Sequence, residues 1–173
     1  YIQDDWSIGD KLVLNLGLGL AFLAAARLGL AFANGPAQTT AVWPASGVAL
    51  GALMVWGWRI FPGLLLGSLV HEGMWISNWA SPVQWLATVL LTGAGALQWA
   101  LLHALMLDWW QRMQASAIRW SLRFAVLVLL GCVMASSLGN AALLGLGRLA
   151  AGDFAQAWLT WWIGDCAGIL VVT

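Results

Sequence analysis

Residues 12–33 carry a single charged side chain, Arg27. Five further apolar stretches of similar reach follow, roughly 42–58, 60–79, 84–107, 124–149 and 157–173, and none holds more than one Asp, Glu, Lys or Arg. A helix crosses the hydrocarbon core of a bilayer with about 20 mostly apolar residues, so the spacing predicts an all-α, polytopic transmembrane helical bundle with about six spans. Strands are excluded by the same physics, because backbone in lipid must satisfy its hydrogen bonds within a helix or a closed barrel, and these runs lack two-residue alternation.

Composition closes off the soluble alternatives. The chain is 62% hydrophobic and 8% charged, against roughly 25% charged in an ordinary soluble domain. With so few charges it cannot cover a water-facing surface, and the lipid bilayer is its first partner. The net charge of zero gives no pull toward nucleic acid. Breaks between spans fall at strong turn chemistry: Asn34-Gly35-Pro36, Arg59 followed by Phe61-Pro62-Gly63, and Ser81-Pro82. Pro44, Pro62 and Pro82 stand at predicted helix starts, where a missing N–H costs little. The sequence reads as one transmembrane domain over residues 1–173, cut from a longer protein.

Basic residues set the expected orientation. With the N-terminus cytoplasmic, Lys11, Arg59, Arg112, Arg119 and Arg123 fall on the inner side and Arg148 on the outer, a positive-inside bias. Most of the 14 tryptophans fall near one interface or the other, as amphipathic indoles do. Trp6, Trp56, Trp58, Trp109, Trp110 and Trp120 fall at the inner belt, and Trp43, Trp75, Trp79, Trp85, Trp158, Trp161 and Trp162 at the outer. Trp99 is mid-span. The pairs Gly47/Gly51, Gly63/Gly67 and Gly164/Gly168 each place two glycines on one helix face, suited to close packing within the bundle, with a homodimer seam as the lesser alternative.

Ionisable groups inside a span are expensive and mark function by default. On a 1.5 Å rise, Arg27 lies about 22 Å up the first helix, His71 and Glu72 about 16 Å up the third, Asn140 about 24 Å up the fifth, and Asp165 about 12 Å down the sixth. All five fall between mid-membrane and the outer interface, while His103 lies near the inner end of the fourth helix. Two readings stand side by side. In one, Arg27 pairs with Asp165 or Glu72 in a closed polar knot. In the other, Asp165, Arg27, Glu72, His71 and Asn140 line an outward-open cavity with Trp161 and Trp43 as walls, and hold a small ligand or proton. Trp161 and Asp165 share a helix face, whereas Trp162 points about 100° away.

Catalytic and metal chemistry find no motif. His71-Glu72 lacks the second histidine of a zinc-protease helix, and His71 and His103 differ in depth by about 10 Å on the helix rise. No nucleophile or phosphate-loop pattern is present. Cys132 and Cys166 sit in apolar runs and read as small packing residues. Lys11, the only lysine, lies at the chain's start, which argues against a retinal Schiff base. The expectation is a chain without enzymatic activity, cofactor or metal.

At Trp43-Pro44-Ala45-Ser46-Gly47, at Phe61-Pro62-Gly63 with Gly67, and at Trp161-Trp162-Ile163-Gly164-Asp165, the chain resembles the membrane-associated sensor domain of the first type. That bacterial inner-membrane input module precedes histidine kinases, diguanylate cyclases and related outputs. Ala45 stands where the family usually has a second proline, and Gln98 where an acidic residue is usual. The resemblance implies a sensory domain that relays a cue to a cytoplasmic output domain, with about two further spans and that output outside residues 1–173. The alternatives are a substrate-binding subunit of a small-solute transporter and a passive anchor or scaffold.

Overall fold

The computed structural model describes residues 8–31, 33, 40–74, 78–112 and 117–173, with the side chains of 8, 108–112 and 117 left aside. Six α-helices follow in order: α1 Ile8–Leu30, α2 Pro44–Trp56, α3 Phe61–Gly73, α4 Pro82–Arg112, α5 Ala117–Gly145 and α6 Phe154–Val172. Short 3-10 turns at Gly57–Ile60 and Ala151–Asp153 lead into α3 and α6. All regular structure among the described residues is helical, as the absence of alternation predicts. Asn34-Gly35-Pro36, Trp6 and Trp75 lie outside the described residues, as do the side chains of Trp109 and Trp110.

Five stretches are long and apolar enough to cross a membrane, and the second, Pro44–Gly73, is continuous by that measure. It is in fact a hairpin. Trp43, just before α2, packs its ring 5.4 Å from that of His71, near the end of α3. At the other end Asn15 of α1 clamps the reversal: its Oδ1 accepts from the Gly63 N–H at 2.8 Å, and its Nδ2 donates to the Arg59 carbonyl at 3.0 Å. Gly57 adopts φ 67°, a conformation that costs L side chains energy, and so begins the turn. The described chain therefore makes six passes, in line with the sequence. Each hairpin helix has 13 residues, about 20 Å of helix on a 1.5 Å rise.

The end of the bundle that holds Asn15 and Arg59 is called the near face, and the end that holds Glu72 and Arg148 the far face. α1 packs on α3 and α2, α5 packs on α4 and α6, and α2 lies between α1, α4 and α6. Its central place follows from its residues: Ala45, Ser46, Gly47, Ala49 and Ala52 are all buried, and their small side chains let three neighbours approach. All three glycine pairs are spent in this way. Gly63 and Gly67 meet the backbone of Asn15 and Gly19, Gly47 meets Gly168, and Gly164 and Gly168 receive the backbone of Thr40 and Trp43.

Polarity is inverted relative to a soluble protein. Leu12, Val13, Leu20, Val55, Val89, Leu130 and Val171 are exposed, while Ser46, Thr88, Gln98, Ser136, Asn140 and Asp165 are at most 2% exposed. Lipid solvates the first group, so burial sorts by packing and hydrogen bonding rather than by hydrophobicity. The helix limits shift by a few residues from the sequence reading. The largest shift is at α5, which starts at Ala117 rather than near residue 124; its end at Gly145 leaves Arg148 in the following turn.

A polar cavity entering from the far face

Residues Thr40–Trp43 run without helix along α6, with the Trp43 N–H donating to the Gly164 carbonyl at 2.8 Å. A Cβ on Gly164 would strike the Thr40 carbonyl, and one on Gly168 the Trp43 carbonyl. Non-helical backbone at membrane depth is tolerated where protein covers it, and the bare face of α6 supplies that cover. One turn into α2, the Ser46 hydroxyl donates to Asp165 Oδ1 at 2.6 Å. The Trp-Pro and Trp-Trp-Ile-Gly-Asp motifs therefore form one packed unit.

That unit is one wall of a cavity of 270 Å³. Glu72 and Arg148 stand at its far-face mouth, and Arg148 supplies an opposite charge acting on Glu72. Trp43, Trp161, Phe22 and Trp99 form aromatic walls, and Asp165, Gln98 and Ser46 line the deep end. Phe22 and Trp99 meet edge to face at 5.1 Å, which fixes the deep wall. Trp161 packs its ring against Gly139 of α5, where a Cβ would fall 2.6 Å from it. Three buried polar atoms of the lining have no partner: His71 Nδ1, Gln98 Oε1 and Trp99 Nε1. Buried polar groups normally find partners; the other described residues with such atoms, Thr92, His103, Ser136 and Asn140, lie outside the lining.

Of the seven site candidates read from the sequence, the structure brings five together: Asp165, Glu72, His71, Trp161 and Trp43 all line the cavity. Arg27 does not. It is exposed, and its guanidinium donates to Met74 Sδ at 2.7 Å, so the Arg27 pair with Asp165 is absent and Ser46 takes that place. Helical phase is the reason, since Arg27 turns away from Ala26 and Phe22, which face the core. Asn140 is fully buried, but its Nδ2 donates to the Ser136 carbonyl of its own helix, outside the cavity lining. Trp162 points away to donate to the Leu129 carbonyl at 2.9 Å.

Sequence reading did not assign Ser46, Ser68, Thr88, Gln98, Trp99 and Arg148 to the site, though all line it. A signal was present on α4: Thr88, Leu91, Gly95, Gln98 and Trp99 follow the stripe of one helix face. Small hydroxyls barely register in an apolar run, which hides Ser46 and Ser68. His103 stays apart, edge-on to Trp58 at 5.1 Å near the α2–α3 turn. Cys132 and Cys166 are free and buried in an apolar cluster with Leu50, Leu102 and Ile169.

Residues 14–173 match the profile of the MASE1 family. The chain belongs to that family. MASE1 is a membrane-associated sensor domain of histidine kinases and diguanylate cyclases, a sensory input domain placed in signalling proteins that carry cytoplasmic output domains. Neither a curated protein sequence nor a solved structure matches the chain. The MASE1 match and the apolar helices make this a multi-pass membrane protein. Within MASE1, two of the three motif segments that carry the sequence resemblance, Trp43–Gly47 and Trp161–Asp165, are joined by the Ser46–Asp165 hydrogen bond and the Trp43–Gly164 contact.

Proposed function

We propose that the far-face cavity is the stimulus-binding pocket of this MASE1 domain, open to the periplasm of a bacterial inner membrane and holding a small ligand. The single observation that carries the reading is the cavity itself, with orphaned polar atoms at His71, Gln98 and Trp99 around the buried Asp165. The basic residues Lys11, Arg59, Arg119 and Arg123 support a cytoplasmic near face and N-terminus. Residues 1–173 then form one sensory unit of a longer protein.

The pocket touches the helices that would carry a signal. Asp165 and Trp161 lie on α6, which runs toward the near face and ends at Val172. Ligand binding can bias output only through unequal affinity for two packings, and α6 has one side in the cavity and the other on α2 and α5. A homodimer would use a surface other than the three glycine pairs, which are filled within the bundle. The family favours sensing over solute uptake.

The test fills the pocket without removing a polar group. Ala135 lines the cavity and is 2% exposed. Ala135→Leu in the full-length signalling protein is expected to fix output activity at one level across growth conditions that change the wild-type level. Leu101→Phe, on an exposed face, is the control. An unchanged response, at wild-type membrane abundance, would overturn the pocket.

A further inference from the structure

Asp165 is 2% exposed and lines the cavity. Among the described residues it has no basic partner: Oδ1 accepts from Ser46, the Gln98 side chain lies beside it, and Arg27 is engaged elsewhere. A carboxylate removed from water without a counter-charge is strongly disfavoured, and a cation delivered by the ligand supplies one. The cavity lining beside it includes the aromatic side chains Trp43, Trp99, Trp161 and Phe22. Indole faces attract organic cations through the ring quadrupole, and aromatic cages are the recurrent way of holding substituted ammonium groups.

We propose that the pocket takes a small organic ammonium ion, with its charged head at Asp165 and its apolar body between Trp43, Trp99 and Trp161. This inference rests on the pocket function above and adds the ligand's chemical class. An anion is disfavoured, because Arg148 is the cationic side chain of the lining, exposed and at the mouth, against two carboxyl groups, Glu72 and Asp165. A bare calcium or magnesium ion is disfavoured too: it takes six or more oxygen ligands, and this cavity is walled largely by rings. At 270 Å³ the space lies just under the range of about 300–1,000 Å³ common for small-molecule pockets, which suits a compact amine.

The experiment uses the purified full-length protein in detergent and follows its unfolding temperature, which a bound ligand raises by mass action. Phenethylammonium chloride and tetramethylammonium chloride are the probes, with 2-phenylethanol as the neutral comparison and sodium chloride at equal ionic strength. At least one ammonium probe is expected to give a saturable rise that neither comparison gives. Asp165→Asn is expected to weaken its binding by about tenfold or more. Trp161→Leu keeps the carboxyl group and is also expected to weaken it about tenfold, so the proposal can be judged even where Asp165→Asn fails to fold. The proposal is overturned by no rise with either ammonium probe, by an equal rise with 2-phenylethanol or sodium chloride, or by undiminished binding in a folded Asp165→Asn or Trp161→Leu protein. If it falls while Ala135→Leu still fixes output, the pocket stands and only the ligand class is lost. If Ala135→Leu has no effect, the pocket itself is lost.

Discussion

The Ser46 hydroxyl donates to Asp165 Oδ1 at 2.6 Å, joining two motifs 119 residues apart inside the membrane. Replacing Ser46 with Ala removes a donor from a buried carboxyl group, at a cost of about 1–3 kcal/mol. A double-mutant cycle should therefore couple Ser46→Ala with Asp165→Asn by about 1 kcal/mol or more, read from denaturation midpoints in detergent. Arg27→Ala and Asp165→Asn should instead add to within about 0.5 kcal/mol, because the two residues share no contact. Coupling in the second pair and additivity in the first would reverse the assignment of Asp165's partner.

Gly168 has the tightest surroundings of the described glycines, with the Trp43 carbonyl where a Cβ would sit. Backbone cannot swing aside as a side chain can, so Gly168→Ala is expected to destabilise by about 1–3 kcal/mol or more. Gly93 is exposed on α4 with nothing within 4 Å of its would-be Cβ. Gly93→Ala should therefore gain up to about 1 kcal/mol from helix propensity alone. Thermal unfolding of the two proteins side by side gives opposite signs, and a loss of similar size in both would refute the packing account.

Asn15 holds the α2–α3 reversal through the Gly63 N–H and the Arg59 carbonyl. Asn15→Leu makes α1 more apolar, which lipid tolerates, but leaves both backbone groups without that partner, at about 1–3 kcal/mol. Limited proteolysis should then cut first near Gly57–Ile60. Cleavage no faster than in the wild-type protein would mean that other contacts hold the turn.

Ala150 is exposed at the far face and Lys11 at the near face. In a protein whose Cys132 and Cys166 are replaced by Ser, Ala150→Cys should react with a membrane-impermeant maleimide in intact cells, and Lys11→Cys only after lysis. The opposite pattern would invert the topology and turn the cavity toward the cytoplasm. Gln38 and Ser116, the positions that the sequence alone suggests for this labelling, lie outside the described residues.

Six passes, their approximate limits and the gathering of polar groups toward one side were legible in the sequence, because each is a one-dimensional property. Bilayer thickness sets span length, proline and glycine mark the breaks, and a fixed helical rise converts position into depth. The four-residue spacing of Trp161 and Asp165 likewise put both on one face of α6, and both line the cavity. Choice of partner was not legible. Depth alone made Arg27 a natural counter-ion for Asp165, yet helical rotation turns Arg27 outward to Met74 and brings Ser46, an inconspicuous hydroxyl, to the carboxyl group instead. Asn140 shares the depth of the cavity but bonds within its own helix. Rotation and mutual approach depend on which glycine faces meet, as where Gly164 and Gly168 admit the backbone of Thr40 and Trp43. That meeting is a property of helix pairs, so only the folded bundle decides it.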